Sequence, residues 1–252
     1  MVASTFRGWK CSIAGCRRIA FVQIVRDRRQ EFWQTDGVPV PNEDSLNPVV
    51  VGHPLIRVKL AALRDKETPS REFRRLMTEI SALMAFEVTR NVQTVTTEVR
   101  SPLRKCAGEG LLRPFSLVPI LRAGLGMLEG FSKVLPDAGV GHIGMYRNEE
   151  TLRPETYFFK MPMGVCESEL ILLDPMLATG WSASEAIADL KRAGVTRIRF
   201  ASIVSCPEGI NVLSSNHPEV RVFTAAIDEG LNGQGYIVPG LGDAGDRYYG
   251  TL

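Results

Sequence analysis

Two periods of hydrophobic residues divide the chain, and the change between them falls near residue 115. Before that point, apolar residues recur every three or four positions, as in Phe73, Leu76, Met77, Ile80, Leu83 and Met84. This spacing is typical of an amphipathic helix, and a shorter group from Leu55 to Leu63 predicts another helix before it. Thr68 is placed to cap the second helix, with Pro69 in its first turn. The region from 55 to 84 is therefore predicted to be helical.

After residue 115, short apolar runs alternate with helical segments. The predicted strands are 115–121, 139–146, 170–173, 199–205 and 220–226. The predicted helices between them are 126–134, 182–193 and 208–214. This alternation indicates βαβ units and a parallel sheet buried on both faces, whose ligands bind at the carboxyl ends of the strands. Residues 156–161 are predicted to add an extra strand or hairpin arm that is partly exposed.

The third predicted strand runs into a segment with a clear chemical use. Asp174 follows the strand, and a loop of small and hydroxyl-bearing residues then leads into a helix. The free amide groups and the positive dipole end of such a helix attract phosphate. Thr179 and Ser182 add hydroxyl donors, and Ala178 and Gly180 let the backbone approach a ligand closely. Because Asp174 can also accept hydrogen bonds from ribose hydroxyls, the segment favours a phosphorylated sugar.

The same segment also fits an ordinary strand–loop–helix turn whose polar residues only cap the helix. The chain has no glycine-rich loop that ends in Lys-Ser or Lys-Thr, which disfavours a P-loop ATPase. It also lacks the glycine fingerprint after the first strand, which disfavours a dinucleotide-dependent oxidoreductase.

Composition narrows the class of protein without choosing a function. The 252 residues carry a net charge of +2 at pH 7, which gives too weak a field for a nucleic-acid binder. No apolar run reaches the roughly 20 residues that span a bilayer, so no membrane partner is expected. The five cysteines are scattered, which favours free thiols in a reducing cytoplasm over a disulfide framework. Cys11 and Cys16 lack the second ligand pair of a zinc site.

The first 50 residues differ from the rest of the chain. Residues 1–26 contain five basic side chains and no acid. This bias is typical of a transit peptide, but the serine content and the amphipathic period are weak. A poorly ordered arm at 1–50 is favoured over organellar targeting by residues 1–30, and a start codon between residues 42 and 51 is a further alternative. Residues 36–42 have the composition of a linker.

Four segments together resemble uracil phosphoribosyltransferases. They are 118–127 (Val-Pro-Ile-Leu-Arg-Ala-Gly-Leu-Gly-Met), 144–150 (Gly-Met-Tyr-Arg-Asn-Glu-Glu), 174–182 and 235–246. The third is similar to that family's loop for phosphoribosyl diphosphate (PRPP), usually Asp-Pro-Met-Leu-Ala-Thr-Gly-Gly-Ser. The likeness extends over residues 51–252. It implies an α/β domain with the type I phosphoribosyltransferase fold: a Rossmann-like parallel sheet flanked by helices, an N-terminal helical region and a β-hairpin arm.

The resemblance implies transfer of the 5-phosphoribosyl group of PRPP to N1 of uracil, which gives UMP and diphosphate in pyrimidine salvage. The residues implied in PRPP binding are Arg122, Arg147, Asp174, Pro175, Met176, Leu177, Ala178, Thr179, Gly180, Trp181, Ser182 and Asp243. Four of them are also implied to be catalytic: Arg122, Arg147, Asp174 and Asp243. A single arginine after a strand is usually a surface residue, but guanidinium groups inside matched motifs can pair with the diphosphate. Phosphoribosyltransferases often hold a non-proline cis peptide bond in this loop, and by resemblance its place in this chain would be between Leu121 and Arg122.

Mg²⁺ is the implied cofactor, shared between diphosphate oxygens, ribose hydroxyls and water. The sequence offers no cage of protein ligands, so the metal is expected to arrive with PRPP. Pro175 follows Asp174, and the loop therefore carries one carboxylate. Orotate and hypoxanthine relatives carry two adjacent acids there, so the single acid agrees with the uracil branch.

By resemblance, segment 235–246 selects the base. The residues implied in uracil binding are Ile237, Gly242, Asp243 and Ala244. Composition alone favours a long surface turn here. Fixed backbone donors and acceptors suit uracil, and cytosine would leave buried groups unpaired at a cost of about 1–3 kcal/mol each. The histidines lie outside the four segments and are expected to be structural: His53, His142 and His217.

Trp181 stands where the family loop usually has glycine. If that position needed a positive φ, tryptophan would be strained there and PRPP affinity would fall. We expect an outward-facing side chain, backbone amides that still hold phosphate, and an active enzyme.

A regulatory protein that binds PRPP or nucleotides without turnover is the alternative on the same fold. The implied catalytic residues are all present, which favours catalysis. The resemblance further implies a homo-oligomer, dimer or higher, for which the apolar residues Tyr157, Phe158 and Phe159 offer a contact. Activation by GTP occurs in some relatives and is an open alternative here.

Overall fold

The computed structural model describes residues 48–147 and 154–251, apart from the side chain of Arg147. The predicted arm at residues 1–50 lies almost wholly outside these residues and stays a prediction. In chain order the elements are β1 (Val49–Val50), α1 (Pro54–Arg64), α2 (Ser70–Val88), β2 (Thr94–Arg100), β3 (Lys105–Leu111), β4 (Phe115–Leu121), α3 (Leu125–Val134), β5 (Gly139–Val140), β6 (His142–Arg147), β7 (Pro154–Lys160), β8 (Glu169–Leu173), β9 (Met176–Leu177), α4 (Trp181–Arg192), β10 (Ile198–Ser205), α5 (Pro207–Asn216), β11 (Arg221–Ile227), β12 (Gly230–Leu231), β13 (Ile237–Val238) and α6 (Ala244–Tyr249).

The central sheet has the strand order β1-β11-β10-β8-β4-β6-β7, with β5 beside β4 and β9 beside β10. Every pair is parallel except β6 and β7, which are antiparallel. Parallel pairing puts the carboxyl ends of β4, β8 and β10 at one edge of the sheet. The predicted parallel sheet is confirmed.

Alternate residues of the central strands pack into two separate hydrophobic cores, one on each face of the sheet. Leu117 of β4 and Ile171 of β8 pack on the side covered by α1, α2 and α3. Their neighbours Val118 and Leu172 pack on the other side, with apolar residues of α4 and α5. Because successive strand residues point to opposite faces, an unbroken apolar run is what a doubly covered strand requires.

The predicted helices and strands after residue 115 are present, and their ends differ from the predicted ones by at most two residues. Segment 139–146 is interrupted at Gly141, which separates β5 from β6. Residues 156–161 form most of the extra strand, β7, which pairs with β6 at the edge of the sheet. None of the helices within 48–147 and 154–251 combines the length and apolar character needed to cross a membrane.

The predicted cap of the second helix is wrong. Pro69, not Thr68, is the N-cap of α2, and it provides no side-chain hydrogen bond. The Thr68 hydroxyl instead donates to the Ala62 carbonyl oxygen at 2.6 Å. Thr68 therefore holds the turn between the two helices, because the backbone turns one residue later than the sequence suggests.

An antiparallel hairpin between α2 and β4 was not predicted. β2 and β3 pair from Thr94–Leu111 to Arg100–Lys105, and nearly all of their residues are exposed. A strand that buries neither face needs no alternation of apolar and polar residues, so the pattern on which the other strands were predicted is absent here.

Candidate active site

The loop at 174–182 leaves the carboxyl end of β8 and is held by the neighbouring strand. The Asp174 amide donates to the Ala201 carbonyl oxygen at 3.2 Å, and the Pro175 carbonyl oxygen accepts from the amides of Ile203 and Val204 at 3.1 and 3.0 Å. Hydrogen bonds to β10 therefore fix the start of the loop.

The loop leads into a helix whose first amide groups are open to a ligand. No described side chain caps α4. Gly180 precedes the helix with a φ of 79°, and a Cβ atom there would lie 2.7 Å from the Gly209 carbonyl oxygen, so only glycine fits. Thr179 and Ser182 are exposed. This arrangement is a ready anion site, as the sequence predicts.

The N-terminus of α5 packs against the loop and supports it. The Cys206 thiol donates to the Ala178 carbonyl oxygen at 3.1 Å, and the Cys206 amide donates to the Leu177 carbonyl oxygen at 3.2 Å. Burial raises the pKa of this thiol, so it stays a donor. A Cβ atom on Gly209 would lie 2.4 Å from the Ala178 oxygen. These two residues were not singled out from the sequence, because nothing local marks a contact with a loop about 30 residues earlier.

Asp174 is the acidic group of the loop. It is half-buried, and burial raises the pKa of its carboxyl group to about 7. Within the described residues, the carboxyl group accepts one hydrogen bond, from the Met176 amide, and this bond is long at 3.4 Å. No described cation offsets the burial, so the carboxylate is available to a ligand hydroxyl or a metal ion.

The loop that follows β4 brings Arg122 to the same edge of the sheet. The peptide bond between Leu121 and Arg122 is cis, as predicted. A Cβ atom on Gly124 would lie 2.4 Å from the Leu173 carbonyl oxygen, so this loop packs directly against the residue before Asp174. The Arg122 guanidinium is 58% exposed and lies 3.1 Å from a carboxylate oxygen of Asp246.

The second predicted arginine is placed only through its backbone. Arg147 is the last residue of β6, which pairs with β4, so its backbone lies at the expected edge. Its side chain, and residues 148–150 of the same motif, are outside the described residues. The contact of Arg147 with a diphosphate stays a prediction.

The loop at 235–246 reaches the same place from the C-terminal end. Ile237 is buried, and Gly240 and Gly242 have positive φ angles. Asp243 is the N-cap of α6, and its carboxylate accepts from the Asp246 amide at 2.9 Å. A Cβ atom on Gly245 would lie 3.9 Å from the Ala123 Cβ atom. The start of α6 therefore lies beside the loop that carries Arg122.

Three residues outside all four motifs fix this last loop. Arg64 at the end of α1 and Asp228 after β11 form an ion pair, and both hydrogen-bond to the backbone of Gly240. Arg247 adds a hydrogen bond to the Leu241 carbonyl oxygen at 2.9 Å. Arg64 and Asp228 were not predicted from the sequence, because the two residues lie 164 positions apart in the chain.

Trp181 is the first residue of α4, and its side chain is 56% exposed. The positive φ belongs to Gly180, one residue earlier. The prediction of an outward side chain is confirmed, and the alternative of a strained tryptophan does not apply.

Two of the histidines have structural roles, as expected. His53 caps α1 by accepting from the Leu55 amide at 3.2 Å. His217 is buried and lies 3.1 Å from the Ser184 hydroxyl, and burial lowers the pKa of its imidazole. Within the residues described, no group of three or more acidic, histidine or cysteine side chains is arranged to hold a metal ion.

An open helix N-terminus and an arginine at the carboxyl ends of a parallel sheet are typical of α/β enzymes that bind phosphorylated ligands. A family model for uracil phosphoribosyltransferase matches residues 50–251. The uracil phosphoribosyltransferase of Dictyoglomus turgidum (strain DSM 6724 / Z-1310) is 54% identical over 204 residues, covering 81% of this chain and 99% of that protein. The one from Clostridium perfringens (strain SM101 / Type A) is 52% identical over 202 residues, covering 80% and 97%.

A solved structure is also similar. The AQ2163 protein from Aquifex aeolicus has a TM-score of 0.75 and 36% sequence identity, with coverage of 80% of this chain and 97% of that chain. The chain therefore belongs to the uracil phosphoribosyltransferase family and is an enzyme of the transferase class.

Proposed function

We propose that the protein transfers the 5-phosphoribosyl group of PRPP to N1 of uracil, giving UMP and diphosphate. The observation that carries this proposal is the 174–182 loop with its uncapped helix, packed beside the Arg122 loop in a chain that belongs to this family. The named relatives carry the same activity in their names, and no observation favours the regulatory alternative.

The 5′-phosphate of PRPP binds the loop between Ala178 and Ser182 through amide and hydroxyl groups. Asp174 accepts hydrogen bonds from the ribose hydroxyls. Arg122 and Arg147 pair with the diphosphate, where negative charge increases as the bond to C1 breaks. Pro175, Met176 and Leu177 shape the entry to the loop, since Met176–Leu177 pairs with β10.

Uracil binds the 235–246 loop through the backbone around Ile237 and Gly242, with Ala244 beside it. Asp243 contacts both substrates, because its exposed carboxylate lies at the start of α6 beside the Arg122 loop. Backbone groups in a fixed register favour uracil over cytosine, whose donor and acceptor positions are exchanged.

Mg²⁺ fits this site as a companion of PRPP. The buried carboxyl group of Asp174, with its pKa near 7 and no described cation beside it, is the kind of oxygen donor that a hard cation prefers. When bound, the ion neutralises charge on the diphosphate and thereby assists its departure. Asp174 is the protein group that would help to hold it.

The exposed aromatic residues Tyr157, Phe158 and Phe159 of β7 offer a contact for a homo-oligomer. Oligomer formation is a further prediction of the resemblance, and GTP activation stays an open alternative. A cytoplasmic location is a prediction from the scattered cysteines. Organellar targeting by residues 1–30 is the less favoured alternative that the basic bias of this segment leaves open.

The test is conversion of radiolabelled uracil to UMP in the presence of PRPP and Mg²⁺. We expect turnover by the wild-type protein. We also expect kcat/KM to fall about 100-fold or more for Arg122→Ala, because a cation on the leaving group is lost. Arg71→Ala on α2 serves as the control for removal of an exposed arginine elsewhere. A folded protein that binds PRPP in calorimetry and makes no UMP would support the regulatory alternative instead.

A further inference from the structure

Arg64 and Asp228 form a bidentate ion pair beneath the 235–246 loop. Arg64 Nη1 donates to Asp228 Oδ2 at 2.7 Å, and Nη2 donates to Oδ1 at 2.5 Å. The Asp228 side chain is 5% exposed and that of Arg64 is 22% exposed. A shielded pair with two parallel hydrogen bonds has a defined geometry, unlike an exposed surface pair.

The same two side chains also hold both polar groups of Gly240. The Gly240 amide donates to Asp228 Oδ2 at 2.8 Å, and the Gly240 carbonyl oxygen accepts from Arg64 Nη1 at 2.8 Å. Gly240 has a φ of 62°, and a Cβ atom there would lie 2.1 Å from the Ile237 carbonyl oxygen. The loop is therefore fixed at one residue by two charge-assisted hydrogen bonds.

Gly240 lies between the backbone segments assigned to the base, Ile237 on one side and residues 242–244 on the other. A shift of the Gly240 backbone would move the backbone donors and acceptors of the two segments relative to each other. Recognition of a pyrimidine edge by backbone groups tolerates little displacement, because a misplaced donor leaves a buried group unpaired.

We propose that Arg64 and Asp228 are positioning residues that set uracil affinity and base selectivity by holding Gly240. This inference rests on the proposed assignment of the 235–246 loop to uracil. Neither side chain touches PRPP in the proposed arrangement, since the groups assigned to PRPP are Arg122, Arg147, residues 174–182 and Asp243, whereas Arg64 and Asp228 bind Gly240. A purely structural role would instead lower the folded fraction and affect both substrates alike.

The test compares Arg64→Lys and Asp228→Asn with wild type. Lysine keeps the charge but cannot bind Asp228 and Gly240 with one planar fork. Asparagine keeps an acceptor for Gly240 but removes the charge. We expect KM for uracil to rise at least tenfold, with the Kd for PRPP alone, measured by calorimetry, within twofold of wild type. We also expect the ratio of kcat/KM for uracil over cytosine to fall.

Arg75→Lys is the matched control, because Arg75 forms ion pairs with Glu72 and Glu79 on the surface of α2, and it should change neither constant. Calorimetry with PRPP also reports which variants are folded, and if Asp228→Asn does not fold, Arg64→Lys alone decides. Equal losses for both substrates, or an unchanged KM for uracil, would overturn the proposal.

A further variant, Ala244→Val, separates this inference from the loop assignment on which it rests. A raised KM for uracil in Ala244→Val with no change in Arg64→Lys would reject the positioning role alone. No change in either variant would reject the loop assignment, and the positioning role with it.

Discussion

Asp174 is the residue whose chemistry depends most on its surroundings. Burial raises the pKa of its carboxyl group to about 7, so the group changes charge close to neutral pH. The ionised form can accept a hydrogen bond at each carboxylate oxygen, and it is the form that can help to hold Mg²⁺.

We therefore expect PRPP to bind more tightly as the pH rises through 7. Between pH 6 and pH 8 the ionised fraction of Asp174 rises by roughly tenfold, and the Kd should fall by about the same factor. Calorimetric titration with PRPP and Mg²⁺ measures it. Asp174→Asn provides the correction for titration of PRPP itself, and an equal pH dependence in both proteins would contradict this assignment.

Substitution of Trp181 tests whether backbone amide groups, and not side chains, form the phosphate site. Its side chain is 56% exposed and its backbone is helical, so we expect Trp181→Gly to change the Kd for PRPP by less than tenfold. Gly180→Ala should weaken binding by more than tenfold, because Gly180 has a φ of 79° and no space for a Cβ atom. A Trp181→Gly variant with affinity raised more than tenfold would show that the tryptophan hinders the site.

At the scale of elements, α5 determines the shape of the 174–182 loop. Gly209 lies so close to the Ala178 carbonyl oxygen that a methyl group would meet it at 2.4 Å. We expect Gly209→Ala to displace the loop and raise the Kd for PRPP at least tenfold. Gly52→Ala is the matched control, because nothing lies within 4 Å of a Cβ atom there. An unchanged Kd in Gly209→Ala would mean that the loop adapts freely.

Sequence patterns predicted elements well where burial imposes a pattern. β8 is buried along nearly its whole length and α2 buries one face, so their apolar residues report their structure directly. β2 and β3 are exposed and pair only with each other in the described structure, and no local pattern marks them. The Thr68 prediction failed for a related reason, since the hydroxyl found a partner in the preceding helix.

At the scale of the whole molecule, motifs predicted the groups assigned to ligand binding but not the groups that hold them. The open N-terminus of α4 and the cis bond before Arg122 were expected from the sequence. The supports at Arg64, Asp228 and Cys206 were not, because each acts across elements that are distant in the chain. Such contacts exist only in the folded protein.

Asp174 also links the stability of the whole fold to pH. Its folded pKa of about 7 lies above the ordinary value of 3.8, so its contribution to stability is complete below pH 3.8 and is lost as the pH rises through 7. We expect the gain in free energy of unfolding from Asp174→Asn to be larger at pH 8 than at pH 5, by about 2–3 kcal/mol. Urea titrations at both pH values measure this difference, and a gain that is equal at both would contradict the raised pKa.

The contact between Arg122 and Asp246 has a consequence for how a substrate arrives. Without ligand, the guanidinium already has an internal counter-ion, 3.1 Å away. An incoming diphosphate competes with that carboxylate for the hydrogen-bond donors of the guanidinium. The Asp246 carboxylate also accepts from the Thr251 hydroxyl at 2.6 Å. Because Asp246 stays close by, the charge around Arg122 becomes more negative when the diphosphate enters, and the two anions compete for one cation.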